Sequence, residues 1–325
     1  MGAAQHCLYC DGLLAKIMFS GVRDRLGISQ KTWSFRSCGS CGSAILDPQP
    51  SPEELRSSYP PQYHLDQVPR NHILQRFQYT LETTFFYKPL WRYSVKAVKK
   101  VTGLASGKLL DVGGGSGHRS KLFQQAGFEV TVVDFDERAL QVAERRFRLR
   151  VVPGSLETTQ LPANHFDLVT LWCVVEHLPD PSSTLKAATR VLRPGGWLVA
   201  QVPLVDSWQG SLFKSRWCAV TEAPRHTGIP TQGGMEELLR RCGLRFCRFL
   251  RASLLDSAGT FALSLIPPAT TPISFGWLSS TSRILWRLLG LASTLVAAPF
   301  SWLEALSGHP RAAIFFAQKP EKYES

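Results

Sequence analysis

The sequence is poor in charge, and its charge is unevenly divided between the two signs. Only 19% of the 325 residues are Asp, Glu, Lys or Arg, whereas globular chains carry about a quarter. Acidic residues are the scarcer kind, because 25 of them stand against 37 basic residues and leave a formal net charge of +12. A basic balance suits nucleic acid, an anionic membrane surface or a phosphorylated substrate as a partner, and composition does not choose among them.

The sequence also lacks the segments that direct a chain out of the cytoplasm or through a membrane. Its first ten residues show no charged region followed by an apolar one, and His6 stands where a myristoylation signal has Ser or Thr. Residues 288–303 are free of charge, but this stretch has 16 residues and contains Pro299, whereas a spanning helix needs about 20. We therefore expect a cytoplasmic protein with reduced thiols.

Apolar residues are frequent enough to build a sizeable core. Hydrophobic residues make up 44% of the chain and aromatic residues 10%, so wholesale disorder is excluded and about two domains are expected. We divide the sequence into a cysteine-bearing module with its linker (1–60), a helical linker (61–104), an α/β core (105–252), a hydrophobic helical insert (253–310) and a final strand with its tail (311–325).

Four of the eight cysteines form two CxxC pairs near the N-terminus, namely Cys7, Cys10, Cys38 and Cys41. Between the pairs, two strand-like runs at 16–20 and 32–36 are joined by a polar stretch that contains glycine, which predicts a hairpin. Four thiolates complete a tetrahedral shell and leave no open position, so we predict a structural zinc ion in a module of the zinc-ribbon kind. Four ordinary free cysteines are the alternative.

A glycine-rich loop follows a short apolar strand at 108–112. Gly113, Gly115 and Gly117 form this loop, and a helical stretch, HRSKLFQQA, comes next. Glycines allow backbone N–H groups at a helix N-terminus to approach a ligand closely. A second strand, EVTVV, ends in Asp134, about 20 residues further on, where a carboxylate can hold a ribose diol. The pattern predicts a Rossmann-like nucleoside site.

Two details of this loop disfavour a dinucleotide as the ligand. The third glycine of the dinucleotide fingerprint GxGxxG is replaced by His118. Asp111 lies two residues before the first glycine, where its carboxylate would repel a pyrophosphate but would attract an ammonium or a sulfonium group. Both details favour S-adenosylmethionine over NAD.

The segments LLDVGGGSG, VVDFD, HFDLVTLWCVVEHLPDP and VLRPGGWLVAQVP follow one another in this order. Over residues 105–250 the sequence thereby resembles the class I S-adenosylmethionine-dependent methyltransferases. The resemblance implies an α/β fold with a Rossmann-like seven-stranded sheet, here with a zinc-ribbon-like module before it and the hydrophobic helical insert before the last strand. It also implies S-adenosylmethionine as the cofactor.

The same resemblance assigns the cofactor-binding residues. Asp111 and the glycines of 113–117 would hold the methionine end, and Asp134 would hold the ribose. On the adenine side, Phe135 would flank the ring and Ser155 and Leu156 would meet its edge, although Ser155 departs from the acidic residue that the family often carries there. Trp172 and Cys173 would line the methyl pocket.

The order of a cysteine module and this core is similar to that of bacterial methyltransferases of secondary-metabolite and surface-polysaccharide pathways. The stretch APRHTGIPTQGGMEELLRRCG resembles a family segment in which a PRH triplet would place Arg225 and His226 at the acceptor. A hydroxyl or a carbon acid needs a base in order to accept a methyl group. His226 is the first candidate for a catalytic base, and His177 and Glu176 are the next.

The hydrophobic insert has charged and aromatic residues near its ends. Arg283 and Arg287 lie one turn apart, and Trp286 and Trp302 lie near the two ends. This combination is typical of a helix or helical hairpin in a bilayer interface. We predict peripheral contact through 270–305 with the inner face of the cytoplasmic membrane, and a homodimer interface or a lid on the core is the alternative.

Two classes of function follow. One is a methyltransferase with a small-molecule or lipid-linked acceptor, such as a sugar, a quinone-like compound or a polyketide intermediate, and the other is a zinc-containing RNA methyltransferase. Nucleic acid is less expected, because the sequence has no run of basic residues interleaved with exposed aromatics. LWCV also stands where enzymes that methylate base nitrogens carry an NPPY-like signature. A regulator that binds S-adenosylmethionine without catalysis is a third class.

Overall fold

The computed structural model describes residues 6–59, 80, 83–265, 292, 296–304 and 306–321. The chain forms two compact units, and each unit is built from three separate pieces of sequence. The N-terminal unit comprises Met1–Leu90, Pro203–Gly234 and Arg251–Ala312. The core unit comprises Trp91–Val202, Met235–Leu250 and Ala313–Ser325. The cysteine module thus shares its unit with two later pieces of chain.

Eleven strands are described, in chain order β1 (Leu14–Arg23), β2 (Thr32–Cys38), β3 (Ala44–Leu46), β4 (Gly107–Val112), β5 (Phe128–Asp134), β6 (Arg150–Pro153), β7 (Phe166–Trp172), β8 (Leu192–Pro203), β9 (Gly228–Ile229), β10 (Arg245–Arg251) and β11 (Ala312–Gln318). The helices with stated bounds are α1 (Pro52–Ser57), α2 (Lys88–Thr102), α3 (His118–Gln125), α4 (Glu137–Phe147), α5 (Pro181–Val191), α6 (Trp208–Phe213), α7 (Gln232–Arg241) and α8 (Leu254–Leu265). A π-helical turn lies at Thr83–Tyr87, and 3₁₀ turns lie at Val175–His177 and Lys214–Arg216.

The N-terminal unit contains a four-stranded sheet in the order β1-β2-β3-β9. β1 and β2 form the predicted antiparallel hairpin, with Leu14 opposite Cys38 and Val22 opposite Trp33. Trp33 and Phe35 alternate with outward residues along β2, as the two-residue period of a strand requires. Their side chains pack with Phe19, Leu46, Trp217, Val220 and Ile229 in one cluster. This cluster explains why a segment as distant in sequence as β9 joins the cysteine module.

A buried ion-pair network fixes the segment before β9. The guanidinium of Arg225 is fully buried, and it donates from Nη2 to Asp24 Oδ1 at 2.6 Å and from Nε to Glu222 Oε2 at 3.0 Å. Its Nη1 donates to the carbonyl oxygen of Ser58 at 3.0 Å. The expectation that Arg225 faces the acceptor is therefore wrong, because all three guanidinium nitrogens donate inside the unit.

The core unit contains the predicted seven-stranded sheet, in the order β10-β11-β8-β7-β4-β5-β6. β4 pairs in parallel with both β5 and β7, β5 pairs in parallel with β6, and β7 pairs in parallel with β8. Strand order therefore reverses at β4, since the chain passes from β4 to one side and later returns to the other. The α/β Rossmann-like fold is confirmed, and such a reversal places a crevice at the carboxyl ends of β4 and β7.

Apolar runs and helix caps explain the elements of this unit. LLDV in β4 and VTVVD in β5 have every residue buried, as expected of parallel strands that are covered on both faces. Asp136 caps α4 by accepting from the Arg138 N–H, and Asp180 caps α5 with Pro181 in the first helical position. The cap of α4 begins that helix directly after β5, whereas α5 begins only after the 3₁₀ turn that follows β7.

Of the hydrophobic insert, the structure describes α8 and a helical stretch at 296–304. Arg283, Trp286 and Arg287, and most of the predicted membrane contact at 270–305, lie outside the described residues. Within the described part of the chain, no helix combines the length and the apolarity that crossing a bilayer requires.

Candidate cofactor site and cysteine cluster

The glycine loop bends through conformations that only glycine adopts without strain. Gly113, Gly115 and Gly117 have φ angles of +67°, +53° and +77°, in the left-handed region. A Cβ at Gly113 would lie 2.6 Å from Val174 Cγ2, and a Cβ at Gly117 would lie 2.6 Å from Leu149 Cδ1. These glycines therefore let the backbone turn tightly from β4 into α3, beside the segments that follow β7 and α4.

Asp134 holds this loop against the end of β5. Its carboxylate is buried, and it accepts hydrogen bonds from the backbone N–H of Gly115 at 2.8 Å and of Asp136 at 2.9 Å. The resemblance assigns the ribose diol to a carboxylate at this position, the end of the second strand of the sheet unit. The structure thus brings together the glycines and Asp134, as the sequence predicts.

Asp111 is a buried carboxylate with an internal role. Oδ2 accepts from Ser120 Oγ at 2.5 Å and Oδ1 accepts from Thr170 Oγ1 at 2.6 Å. Burial raises the pKa of Asp111, against the lowering effect of these two hydroxyl groups. Asp111 therefore joins β4 to α3 and β7, and its predicted contact with the methionine end stays a prediction. Sequence reasoning missed both hydroxyl residues, although Thr170 is a polar residue within the apolar run LVTLW of β7.

On the expected adenine side, the structure places an exposed aromatic ring next to Asp134. Phe135 is 63% exposed and comes directly after the end of β5. Ser155 is joined to Thr158 through their hydroxyl groups at 3.2 Å, and the Leu156 side chain is buried. Only the backbone of Leu156 is therefore suited to meet an adenine edge, and the backbone N–H of Gly154 bonds to the Asp134 carbonyl at 2.9 Å.

The two residues expected in the methyl pocket follow each other at the end of β7. The Trp172 ring stacks on Phe123 with centroids 6.1 Å apart, and the Arg119 guanidinium lies 4.6 Å from the centre of the indole. Cys173 is exposed and has a φ of +56°, and its N–H donates to the Gln201 carbonyl at 2.9 Å. A left-handed conformation at a residue other than glycine is often associated with a functional site. Arg119 was not foreseen from the sequence.

The two histidines proposed as bases belong to different compact units of the chain. His177 ends the 3₁₀ turn Val175–His177 after β7 and is half-buried. His226, in the N-terminal unit, is 7% exposed, and its Nδ1 lies 2.7 Å from the Ala219 carbonyl oxygen. Because that oxygen can only accept, Nδ1 carries the proton and Nε2 is the acceptor nitrogen. Burial lowers the pKa of His226 to about 3, so the imidazole is neutral at physiological pH and is a weak base.

The four predicted metal-binding cysteines form one cluster. Their sulfur atoms all lie within 4.8 Å of one another, with 3.6 Å between Cys7 and Cys41 and 3.4 Å between Cys10 and Cys38. Tetrahedral zinc with Zn–S bonds of about 2.3 Å needs sulfur atoms about 3.8 Å apart. A hydrogen bond from Cys7 lowers the pKa of Cys41 to about 5. The donor set, its spacing and a thiol that ionises readily fit a Zn²⁺ ion.

The segment after β9 packs directly on this cluster. Thr231 Oγ1 donates to the Cys41 carbonyl at 2.7 Å, and the Thr231 N–H donates to Ser43 Oγ at 3.0 Å. A Cβ at Gly234 would lie 2.2 Å from Ser43 Oγ and 3.3 Å from Cys41 Sγ. The cysteine cluster and the segment that follows His226 therefore form one packed structure.

The glycine loop offers a matched pair of substitutions. Gly117 and Gly103 have nearly equal φ angles of +77° and +73°, but a new Cβ meets Leu149 and Ala143 at Gly117 and open space at Gly103. Both Gly→Ala changes carry a backbone strain of about 1–2 kcal/mol, and Gly117→Ala adds an overpacking cost of about 1–3 kcal/mol. We expect Gly117→Ala to lose more unfolding free energy in urea titrations and, unlike Gly103→Ala, to weaken S-adenosylmethionine binding in calorimetry. Equal effects of the two changes would contradict the role given to Gly117.

Known proteins resemble the chain in the region where this geometry lies. A family model described as a methyltransferase domain matches residues 91–247. Two curated relatives, both named ubiquinone biosynthesis O-methyltransferase, come from Leptothrix cholodnii (36% identity over 111 residues, 32% of this chain and 46% of the relative) and Aromatoleum aromaticum (36% over 126 residues, 35% and 53%). The chain thus spans about half the length of the curated relatives it matches.

A solved structure shows the same fold. A protein from Galdieria sulphuraria, assigned as a sarcosine dimethylglycine methyltransferase, superposes with a TM-score of 0.50 at 16% identity, over 70% of this chain and 85% of that one. At this identity the likeness concerns the fold alone. Residues 91–247 thus match a methyltransferase domain, and the sheet order and glycine loop of this region agree with the class I S-adenosylmethionine-dependent methyltransferase fold.

Proposed function

We propose that the chain transfers a methyl group from S-adenosylmethionine to a hydroxyl group of a quinone-like, partly apolar acceptor. The observation that carries this proposal is the 36% identity to two relatives that are named for O-methyl transfer in ubiquinone biosynthesis. In such a transfer the hydroxyl oxygen forms a bond to the methyl carbon as the bond from carbon to the sulfonium breaks, and the hydroxyl proton passes to a base. The products are the methyl ether and S-adenosylhomocysteine.

We propose that residues at the carboxyl ends of β4, β5 and β7 hold the cofactor as the family resemblance implies. Asp111 and Gly113, Gly115 and Gly117 would take the methionine end, and Asp134 the ribose. Phe135 would cover the adenine ring, whose edge would meet the backbone near Ser155 and Leu156, and Trp172 and Cys173 would lie by the methyl group. The exposed Phe135 ring supports this assignment, because adenine would remove it from water. Good orientation of donor and acceptor can lower the barrier by about 7–11 kcal/mol.

The choice of acceptor can be tested by following the methyl group. We expect that the full chain, incubated with methyl-labelled S-adenosylmethionine and a fractionated cell extract, places the label in material that organic solvent extracts, and that a purified catechol or hydroxyquinol accepts it. Asp134→Ala serves as the inactive control, because it removes the group that anchors the glycine loop. Label confined to RNA would favour the zinc-containing RNA methyltransferase, for which the relatives reported above offer no support, and would overturn the quinone proposal.

His226 and His177 are proposed as the catalytic bases, and His226 allows a sharp test. His226→Asn keeps a donor for the Ala219 carbonyl but has no counterpart of Nε2, so the local fold should survive. We expect turnover to fall by about 10²–10⁴-fold if Nε2 takes the proton, with the affinity for S-adenosylmethionine nearly unchanged in calorimetry. Unchanged turnover in a variant with a native melting temperature would exclude His226 and leave His177 as the candidate.

We also propose that Cys7, Cys10, Cys38 and Cys41 bind one structural Zn²⁺ ion. The ion would crosslink the two CxxC turns, and in peptides such a site contributes about 10–16 kcal/mol of apparent folding free energy. Its position beside Thr231 supports a role in ordering the N-terminal unit. Four sulfur ligands would leave no open coordination position for a substrate, so the ion would take no part in methyl transfer.

The zinc proposal is tested by metal analysis together with a matched cysteine pair. We expect one zinc ion per chain by mass spectrometry, and we expect Cys10→Ser or a strong chelator to make the β1–β2 hairpin sensitive to protease. Cys247 is an exposed cysteine outside the cluster, so Cys247→Ser should retain both the metal and the protease resistance. A protein that is purified without chelator, carries no zinc and keeps its resistance would show that the thiols are ordinary.

A further inference from the structure

Two helices of the N-terminal unit, α8 and the helical stretch at 296–304, show a reversed pattern of burial; we call them the helical pair. In a water-exposed helix, large apolar side chains normally face inward and small or polar ones outward. In the stretch 296–304, Ala297, Ser301 and Glu304 are the buried residues, with exposures of 2%, 1% and 3%. The exposed residues here and just beyond are large and apolar, namely Val296 (73%), Phe300 (42%), Trp302 (58%), Leu303 (53%) and Leu306 (66%).

α8 shows the same reversal. Ser257, Ala258, Ala262 and Ser264 are buried together with Phe261, whereas Leu254, Leu263 and Leu265 are 46%, 36% and 54% exposed. Apart from Phe261, small and hydroxyl-bearing residues therefore face the inside of the pair, and leucine side chains face out. Helices packed within lipid show this arrangement, because small residues allow close approach and lipid surrounds the large apolar side chains.

Hydrogen bonds hold the inner side of the helical pair together. Gln209 Nε2, on α6, donates to the Ser257 carbonyl at 3.0 Å and to Glu304 Oε2 at 3.1 Å, and the Ser257 hydroxyl donates to the same Glu304 oxygen. Burial raises the pKa of Glu304, as expected where water has little access. The stacked rings of Phe261 and Phe300, 5.0 Å between centroids, complete the contact.

The charges of this region are arranged so that the outer side is apolar with a basic edge. Of the acidic groups on the helical pair, Asp256 is paired with Arg311 and Glu304 points inward. Lys214 and Arg216 are exposed on the 3₁₀ turn that follows α6, and Arg216 Nη2 donates to the Leu265 carbonyl at 3.4 Å. Arg216 therefore lies at the end of α8, next to the exposed Leu265, and Lys214 is on the same exposed turn.

We propose that the outer side of the helical pair lies in the interface of an anionic bilayer, with its apolar side chains among the acyl chains and Lys214 and Arg216 at the lipid phosphates. α8 has 12 residues and is about 18 Å long, too short for a hydrocarbon core of about 30 Å, so it lies along the surface. The proposal rests on the proposed function in one respect: contact with the membrane would bring the protein to a quinone-like acceptor that is dissolved there.

Vesicle flotation of the full chain tests the contact directly. Vesicles of phosphatidylcholine alone are compared with vesicles that also contain phosphatidylglycerol. The double variant Leu303→Ser, Leu306→Ser is matched by Leu13→Ser, Ile17→Ser, because Leu13 and Ile17 are likewise exposed, at 57% and 62%, elsewhere in the same unit. We expect the matched control to float like the wild type. We expect the vesicle affinity of the Leu303→Ser, Leu306→Ser variant to fall by at least about tenfold. We expect Lys214→Gln and Arg216→Gln to weaken binding to the anionic vesicles alone, by about fivefold each.

Other outcomes would overturn the proposal in identifiable ways. Equal flotation of both double variants would show that the helical pair does not touch lipid. A change from dimer to monomer in light scattering, with flotation unchanged, would show that a second copy covers this side. A melting temperature well below that of the matched control would show that the chain itself covers it. Methyl transfer to a water-soluble catechol without vesicles should be equal in all variants, so a failure of the proposed function would be seen separately.

Discussion

The methyltransferase domain depends on one hydrogen bond between a carboxylate and a backbone amide. Asp134 ends β5 and accepts from the Gly115 N–H at 2.8 Å, and this bond determines where the glycine loop lies relative to the strand beside β4. The loop must enter the left-handed region at three glycines, each of which loses much backbone entropy on folding. A buried charged acceptor makes a stronger hydrogen bond than a neutral one. The hydrogen bond from Gly115 to Asp134 therefore offsets part of the free-energy cost of ordering the three glycines, and it stabilises the bent conformation of the loop.

Asp111 extends the same principle to the layer beneath the loop. A carboxylate placed among apolar strands is costly unless its oxygens are satisfied, and Ser120 and Thr170 satisfy one oxygen each. The result is a polar junction of β4, α3 and β7 inside a hydrophobic core, and it fixes the direction in which α3 leaves the loop. Two acids that the family resemblance assigns to the ligand are thus also structural, and removing either would disturb the site before any ligand is bound.

The order and type of the elements could be predicted from the sequence, because buried parallel strands, glycine turns and CxxC pairs are local patterns. Contacts between distant segments could not be predicted in this way. β9 joins the cysteine module because Ile229 fits a cluster around Trp33 and Phe35, and no local pattern marks a strand of two residues. Arg225 and His226 were expected at the acceptor because the PRH triplet resembles a family segment. The burial of Arg225 follows from partners such as Asp24, some 200 residues away in sequence, and sequence spacing contains no information about that.

The uneven charge of the chain acquires a physical explanation once burial is known. Among the described residues, the buried acids are Asp24, Asp111, Asp134, Glu176 and Glu304, and the buried bases are Arg25, Arg225 and Arg311. A larger fraction of the acidic residues than of the basic residues is therefore buried, where they cap, anchor loops and form hydrogen bonds between helices. The exposed charged residues are consequently more strongly basic on balance than the formal net charge of +12 suggests. An anionic bilayer would stabilise a basic surface that borders an apolar, uncharged one through two contributions. One is charge attraction, and the other is the removal of apolar area from water. Phosphate on a nucleic acid would supply only the first of these terms.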